Sequence, residues 1–202
     1  NEFWYDRGSQ VATTKRTSLI IDPADGRIPP LTPEAQRAKN AVAEARKGLD
    51  MDAPTPGGFV NDLGPGGLRV RCILGFNAGP PMTPSAYNNN VQLFQTRDSV
   101  GILNEMIHDV RIVPLDGRPH GKLRLWAGDS RGHWQGDTLV VDTVNFRAAT
   151  LVTAGELSAT THLTERFTRV DANTLLYEFT VDDPTTWTKP WTAQVPMTLS
   201  TE

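Results

Sequence analysis

At 202 residues, with 38% hydrophobic and 21% charged residues, the chain is long enough for one well-buried core, while two complete domains would be crowded. A formal charge of -3, with acids and bases interspersed and no Lys/Arg run, argues against nucleic acid or an anionic membrane surface as partner. Seventeen Gly and 15 Pro exclude a helical bundle, the single Cys72 excludes an intrachain disulfide framework, and no run of about 18 apolar residues exists to span a bilayer.

Residues 1–16 open on Asn1-Glu2-Phe3-Trp4-Tyr5 and are predicted to be an N-terminal arm that packs onto the body; the missing initiator Met predicts a processed product. Leu19-Ile20-Ile21, stopped by Asp22-Pro23 and Asp25-Gly26, has the pattern of a strand closed by a turn. Thr32-Pro33-Glu34 combines an N-cap hydroxyl, proline at the first helical position and an acid near the positive end of the helix dipole. A helix over 32–48 follows, with a thin apolar stripe of Ala35, Ala38, Val42 and Ala45 that suits a surface position. Residues 50–70 form a Pro/Gly-rich loop, and Arg71 to Phe76 is a short apolar run in which Cys72 is expected to be a small core residue.

From Val91 onward the chain reads as successive hairpins: Val91–Thr96, one long strand over Ser99–Val113 with a bend or bulge near Leu103 or Asn104, and a short strand over Lys122–Trp126. His133-Trp134 and Thr138–Phe146 follow as a hairpin about Gln135-Gly136-Asp137, then a loop over Arg147–Leu157. A second hairpin joins Thr160–Val170 to Thr174–Val181, and Thr192–Leu199 closes the chain. Short antiparallel strands with one weak helix predict an all-β single domain over 1–202. The favoured architecture is a lipocalin-like up-and-down barrel with body 71–202 and an interior for one small ligand; a β-sandwich is the alternative.

The stretch Asn104–Val113 concentrates the ionisable groups. Taken as a strand, it puts Glu105, Asp109 and Arg111 on one face and Asn104 and His108 on the other. His108 with Glu105 or Asp109 is the expected proton-transfer set, and Arg111 the anion stabiliser, provided that partners come from neighbouring strands. Glu165, Arg166 and Glu178 are the cross-strand candidates, and a buried network of Arg with carboxylates is the competing reading. Asn104, Trp126, Arg131, Glu165, Glu178 and Trp187 complete the expected ligand-binding set. Trp126, Trp134, Trp187 and Trp191 are candidates for a stacking platform, and Asn88-Asn89-Asn90 for hydrogen bonds to a polyhydroxylated ligand.

His108, His120, His133 and His162 have no metal-ligand spacing, so no metal and no cofactor is expected. Ser130, His133 and Asp142 provide the residue types of a hydrolase triad without the strand-turn-helix context of a nucleophile elbow; Arg131 is expected to reach a carboxylate.

Three segments carry a family likeness: Arg16 to Pro30, Gly128-Asp129-Ser130-Arg131-Gly132-His133-Trp134-Gln135-Gly136-Asp137-Thr138-Leu139-Val140-Val141-Asp142, and Asp182-Asp183-Pro184-Thr185-Thr186-Trp187. Through them the chain resembles a family of uncharacterised exported proteins from environmental bacteria. The resemblance implies an extracytoplasmic location and carries no activity. The leading expectation is therefore an exported barrel that holds a small molecule, with acid–base chemistry of hydrolase or lyase type in its cup. The alternative is a non-catalytic binding or assembly module whose charges are structural and whose arms at 1–16 and 50–70 dock onto a protein partner.

Overall fold

Residues Val91 to Thr198 are rich in strand-forming side chains, and most of the strands lie there. The structure, a computed structural model, describes residues 5, 14–50, 53, 68, 71–147, 150–152 and 155–200. Its elements in chain order are β1 (Ile20–Asp22), α1 (Pro33–Ala45), β2 (Val91–Gln95), β3 (Ser99–Asn104), β4 (Val110–Pro114), β5 (Asp129–Gln135) and β6 (Thr138–Val144). They continue with β7 (Thr150–Val152), β8 (Gly155–Leu157), β9 (His162–Arg169), β10 (Thr174–Asp182) and β11 (Trp191–Thr198).

All the paired strands of the three sheets are antiparallel: a six-stranded sheet in the order β1-β11-β10-β9-β6-β5, a three-stranded sheet β2-β3-β4, and the β7-β8 hairpin. The large sheet sends Leu139, Val141, Leu163, Phe167, Tyr177, Phe179, Val181, Trp191 and Ala193 inward, and the small sheet answers with Val100, Ile102 and Val113. Both sets belong to one core, so the sheets face each other in a sandwich-like arrangement. The outer face of the large sheet mixes Val140, Val144 and Leu176 with polar residues, among which Thr138 is bonded to Thr168 (2.8 Å) and Thr180 to Thr192 (2.9 Å) across adjacent strands.

The expected closed barrel is not formed. Among the described residues β2 pairs only with β3, and β11 is covered on its outer side only by the three residues of β1. Those pairings, Ile20↔Ala193 and Asp22↔Thr192, reach only the first half of β11. A strand of three residues stopped by Asp22-Pro23 is too short to bridge β11 to β2, so a seam stays open between them.

Other departures have local causes. Ser99–Val113 is not one strand: the chain reverses through Glu105–Asp109, with a turn of 3-10 helix at Met106–His108, and β3 pairs with β4. Ile107 and His108 both have positive φ, 55° and 56°, a conformation that strand alternation cannot signal. Cys72 is exposed, not core, because residues 71–81 fold as consecutive turns that bury Leu74, Asn77 and Ala78 instead. Lys122–Trp126 contributes a single bridge, Leu125↔Phe146, and the loop expected over Arg147–Leu157 holds β7 and β8. The packing expected of the arm at 1–16 and most of the 50–70 loop lie outside the described residues.

Helix α1 begins as its sequence requires. Thr32 caps it by accepting a hydrogen bond from the Ala35 amide (3.1 Å), Pro33 occupies the first turn, and no residue of the helix is buried. Its N-terminus is moored to the Asp183–Trp187 turn: the Thr32 amide donates to the Thr186 carbonyl (2.9 Å) and the Thr32 hydroxyl to the Thr185 carbonyl (2.8 Å). Asp183 organises that turn by accepting from the hydroxyls of Thr161 (2.7 Å), Thr185 (2.7 Å) and Thr186 (2.9 Å). Burial raises the Asp183 carboxyl, and the bonds from Thr161, Ser158, Thr185 and Thr186 outweigh that and bring it to about 2.

Because this folded-state value lies below the ordinary 3.8, the carboxylate contributes stability above that ordinary value and loses it as pH falls toward about 2. Asp183→Asn should therefore lower unfolding free energy by about 1–3 kcal/mol at neutral pH, and the gap to wild type should shrink between pH 4 and pH 2 in urea titrations. A gap that stays constant over that range would contradict this account.

Candidate functional site

Arg111 sits on the inner face of β4, where the alternation of Arg111 and Val113 with exposed Val110 and Ile112 turns it into the core. It meets Glu165, fully buried on the inner face of β9, so an ion pair bridges the two sheets. The guanidinium is a two-pronged donor: Nη2 to Glu165 Oε1 (2.8 Å) and Nη1 to Glu165 Oε2. Tyr177 on β10 donates its hydroxyl to Glu165 Oε1 (2.7 Å) and accepts from the Met82 amide (3.0 Å). Ser130 lies 3.5 Å from Arg111 Nη1 and is bonded to Thr143 (2.9 Å). Burial pulls the Arg111 guanidinium down, and the Glu165 carboxylate more than restores it. Burial, with Glu165 beside it, pushes the Tyr177 hydroxyl well above its usual range, which keeps it a donor.

Of the expected catalytic set, only Arg111 enters the interior. Glu105 and His108 are exposed in the turn between β3 and β4, and Asp109 is half-buried there, its carboxyl raised by burial against the lowering influence of Arg111. His108 is therefore not gathered with Arg111 into a pocket. Glu105 does a structural job: its Oε2 accepts from the Asn90 amide (3.1 Å) while its own amide donates to the Asn90 carbonyl (2.9 Å).

The open seam is a cleft of about 1110 Å³. One wall is β2 with the Asn88–Asn90 run, the other is formed by the ends of β10 and β11, and the turns around Asn77, Met82 and Thr83 form its base. Asn104 also lines it. Asn77, only 6% exposed, spends its amide nitrogen on Ser85 Oγ (2.9 Å), the Asn88 carbonyl (3.0 Å) and the Tyr87 carbonyl (3.4 Å). Its Oδ1 is left buried without a partner, and so is the Thr83 hydroxyl.

The remaining expected residues are dispersed. Trp187 is 3% exposed and packs edge-on against Trp191, 5.7 Å between centroids, so it presents no face to a ligand. Trp126 lies under the Arg147 guanidinium, 4.5 Å from the ring centroid. Glu178 is on the outer face and accepts from Gln194 (3.2 Å). Arg131 is also outward and, as expected, reaches a carboxylate, that of Asp129. Ser130 points inward while His133 and Asp142 point outward, so the hydrolase triad does not assemble.

An outer-face cluster was not legible in the sequence. Asp142 on β6 receives the Nε2 atoms of two imidazoles, one on each oxygen: His120 (2.7 Å) and His162 of β9. Burial raises the Asp142 carboxyl, and the two imidazoles bring it below its ordinary value. An imidazole held by a carboxylate can move a proton, but the cluster stands on an open sheet face rather than in a cavity. Among the described residues no three His, Cys, Asp or Glu side chains converge to hold a metal ion. The register of β6 with β9, where Thr143 faces Leu163, brings His162 to Asp142, and the segment between β4 and β5 brings His120.

No family model matches this chain, and neither a curated protein nor a solved structure does.

The ion pair makes its own test. Glu165→Gln leaves a buried guanidinium without countercharge and should cost about 3–5 kcal/mol in chemical denaturation. Replacing both partners, Arg111→Met with Glu165→Leu, should recover most of that loss, whereas two additive losses would show that the pair is not a unit.

Proposed function

We propose that this protein is a small-ligand-binding module and that its site is the cleft at the open seam between β2 and β11. The observation that carries this reading is the cleft itself, about 1110 Å³ in volume, whose walls combine the amides of Asn88, Asn89, Asn90 and Asn104 with the apolar side chains of Met82, Met106, Phe167 and Val195.

The binding reading accounts for the ionisable groups better than the acid–base one. Arg111 and Glu165 satisfy each other inside the core and hold the sheets together. Tyr177 transmits that order to the site: its hydroxyl is fixed by Glu165 and in turn fixes the Met82 amide, next to Thr83. Glu105 clamps Asn90, the last residue of the Asn88–Asn90 run, to the β3–β4 turn. Glu105 and Arg111, on the β3–β4 hairpin, thus act as supports for a neutral cleft.

Leu175, at the start of β10, lines the cleft and can be enlarged to occupy it. In a ligand-observed NMR screen of a chemically diverse fragment library, hits should lose at least tenfold in affinity on Leu175→Trp, with the fold retained by circular dichroism. Hits that bind the variant as well as wild type would place binding elsewhere and overturn the proposal.

A further inference from the structure

Resting on the assignment of the cleft as the binding site, we infer that its ligand is a short peptide in extended conformation, which adds as a strand to the free edge of β2.

The backbone of β2 calls for such a partner. The Thr96 amide donates to the Ser99 carbonyl (2.9 Å) and the Asn90 carbonyl accepts from the Glu105 amide (2.9 Å), so the even-numbered residues of β2 turn their backbone groups toward β3. Those of Val91, Leu93 and Gln95 point the other way, into the seam, where among the described residues no strand pairs with them. Each offers one N–H and one C=O, at intervals of about 7 Å along the edge. The edge is thus a fixed alternation of partial positive and negative charge, and the complement of that alternation is another polypeptide backbone.

Native sheets blunt unpaired edges with charge or proline. The far side of the seam is blunted in this way: the Gln194 amide donates outward to the Leu19 carbonyl (2.9 Å), so at Pro196, two residues on, the open edge of β11 has no N–H to give. β2, Val-Gln-Leu-Phe-Gln, carries neither charge nor proline and stays competent to pair.

Side chains agree with the backbone. Register directs Leu93 inward beside fully buried Ile102, yet Leu93 is 39% exposed. The neighbour it lacks is on the seam side, where Leu175, Val195 and Met197 stand across the cleft. A strand laid along β2 turns every second side chain into this space, so those positions of the peptide are apolar. A single extended segment is required, because the next strand of a folded sheet would take the place of β11.

The test joins isothermal titration calorimetry to amide hydrogen exchange read by NMR on the full chain, with octapeptides in which Val, Ile, Leu or Phe alternates with Thr or Ser as probes. At least one should bind. N-methylation of one alternate set of its amides should cost at least tenfold in affinity, and of the other set markedly less. Leu93→Pro, which removes an outward N–H and leaves the ladder to β3 in place, should also cost at least tenfold. With peptide bound, the amides of Val91, Leu93 and Gln95 should exchange at least tenfold more slowly, while those of Gln92 and Phe94 keep their rates. No peptide bound at millimolar concentration, or equal losses from the two methylation patterns, overturns the inference. So does slow exchange of the three amides in the free chain, which would show the edge already taken, by a second copy where protection grows with protein concentration and by the chain itself where it does not. The Leu175→Trp variant separates the two levels: if it abolishes binding of non-peptide ligands while no peptide binds, the cleft stands as the site and only the class is wrong. If it leaves every ligand unaffected, the site assignment itself fails.

Discussion

A buried ion pair sets the relation between the two sheets. Arg111 on β4 and Glu165 on β9 are the charged groups through which the small sheet meets the large one inside an otherwise apolar core. Withdrawn from water, each is tolerable only with the other in place and with every remaining hydrogen-bonding position filled. Tyr177 fills one, and because its oxygen also accepts from the Met82 amide, the demand for satisfaction propagates out of the core. The geometry of the ion pair is thereby coupled to the turns over residues 77–83 at the base of the cleft.

The cleft exists because the β-structure does not close. A full barrel would hydrogen-bond β2 to the far edge of the large sheet and fill the seam with ladder. Here β1 covers only the start of β11, and the second half of β11, which includes Pro196, faces the cleft. Proline is at home where a strand edge lacks a partner. The open seam is kept from collapsing by side-chain supports, the Asn77 amide tying residues 85–88 and the Glu105 carboxylate tying Asn90.

The outer surfaces differ in character from this interior. The large sheet turns a mainly polar face outward, with threonine pairs and the His120–Asp142–His162 cluster, while the small sheet exposes Phe94, Val110 and Ile112 around Gly101. At Gly101 an added Cβ would lie 3.6 Å from Ile112 Cδ1 and 3.6 Å from Phe94 Cβ, so these apolar groups pack over the glycine.

What the sequence by itself determined is local. The cap at Thr32, the hairpin turns at Gln135-Gly136-Asp137 and Asp171-Ala172-Asn173, and the period-two alternation of β6, β9 and β10 follow from residue type and spacing, which act over a few residues. A buried network of Arg with carboxylates was legible as one of two readings, with Glu165 one of three cross-strand candidates; that Arg111 takes Glu165 was not. Tertiary structure decided the rest. Whether the meander closes depends on the length of β1 against β11, separated by most of the chain, and whether Asn104–Val113 runs straight depends on two left-handed residues that carry no glycine signal. The cleft is defined by walls from β2, residues 77–90 and β10–β11, and its two orphaned atoms are orphaned only once every other group has found its partner. Satisfaction of hydrogen bonds is a property of the completed fold, so no stretch of sequence could display it.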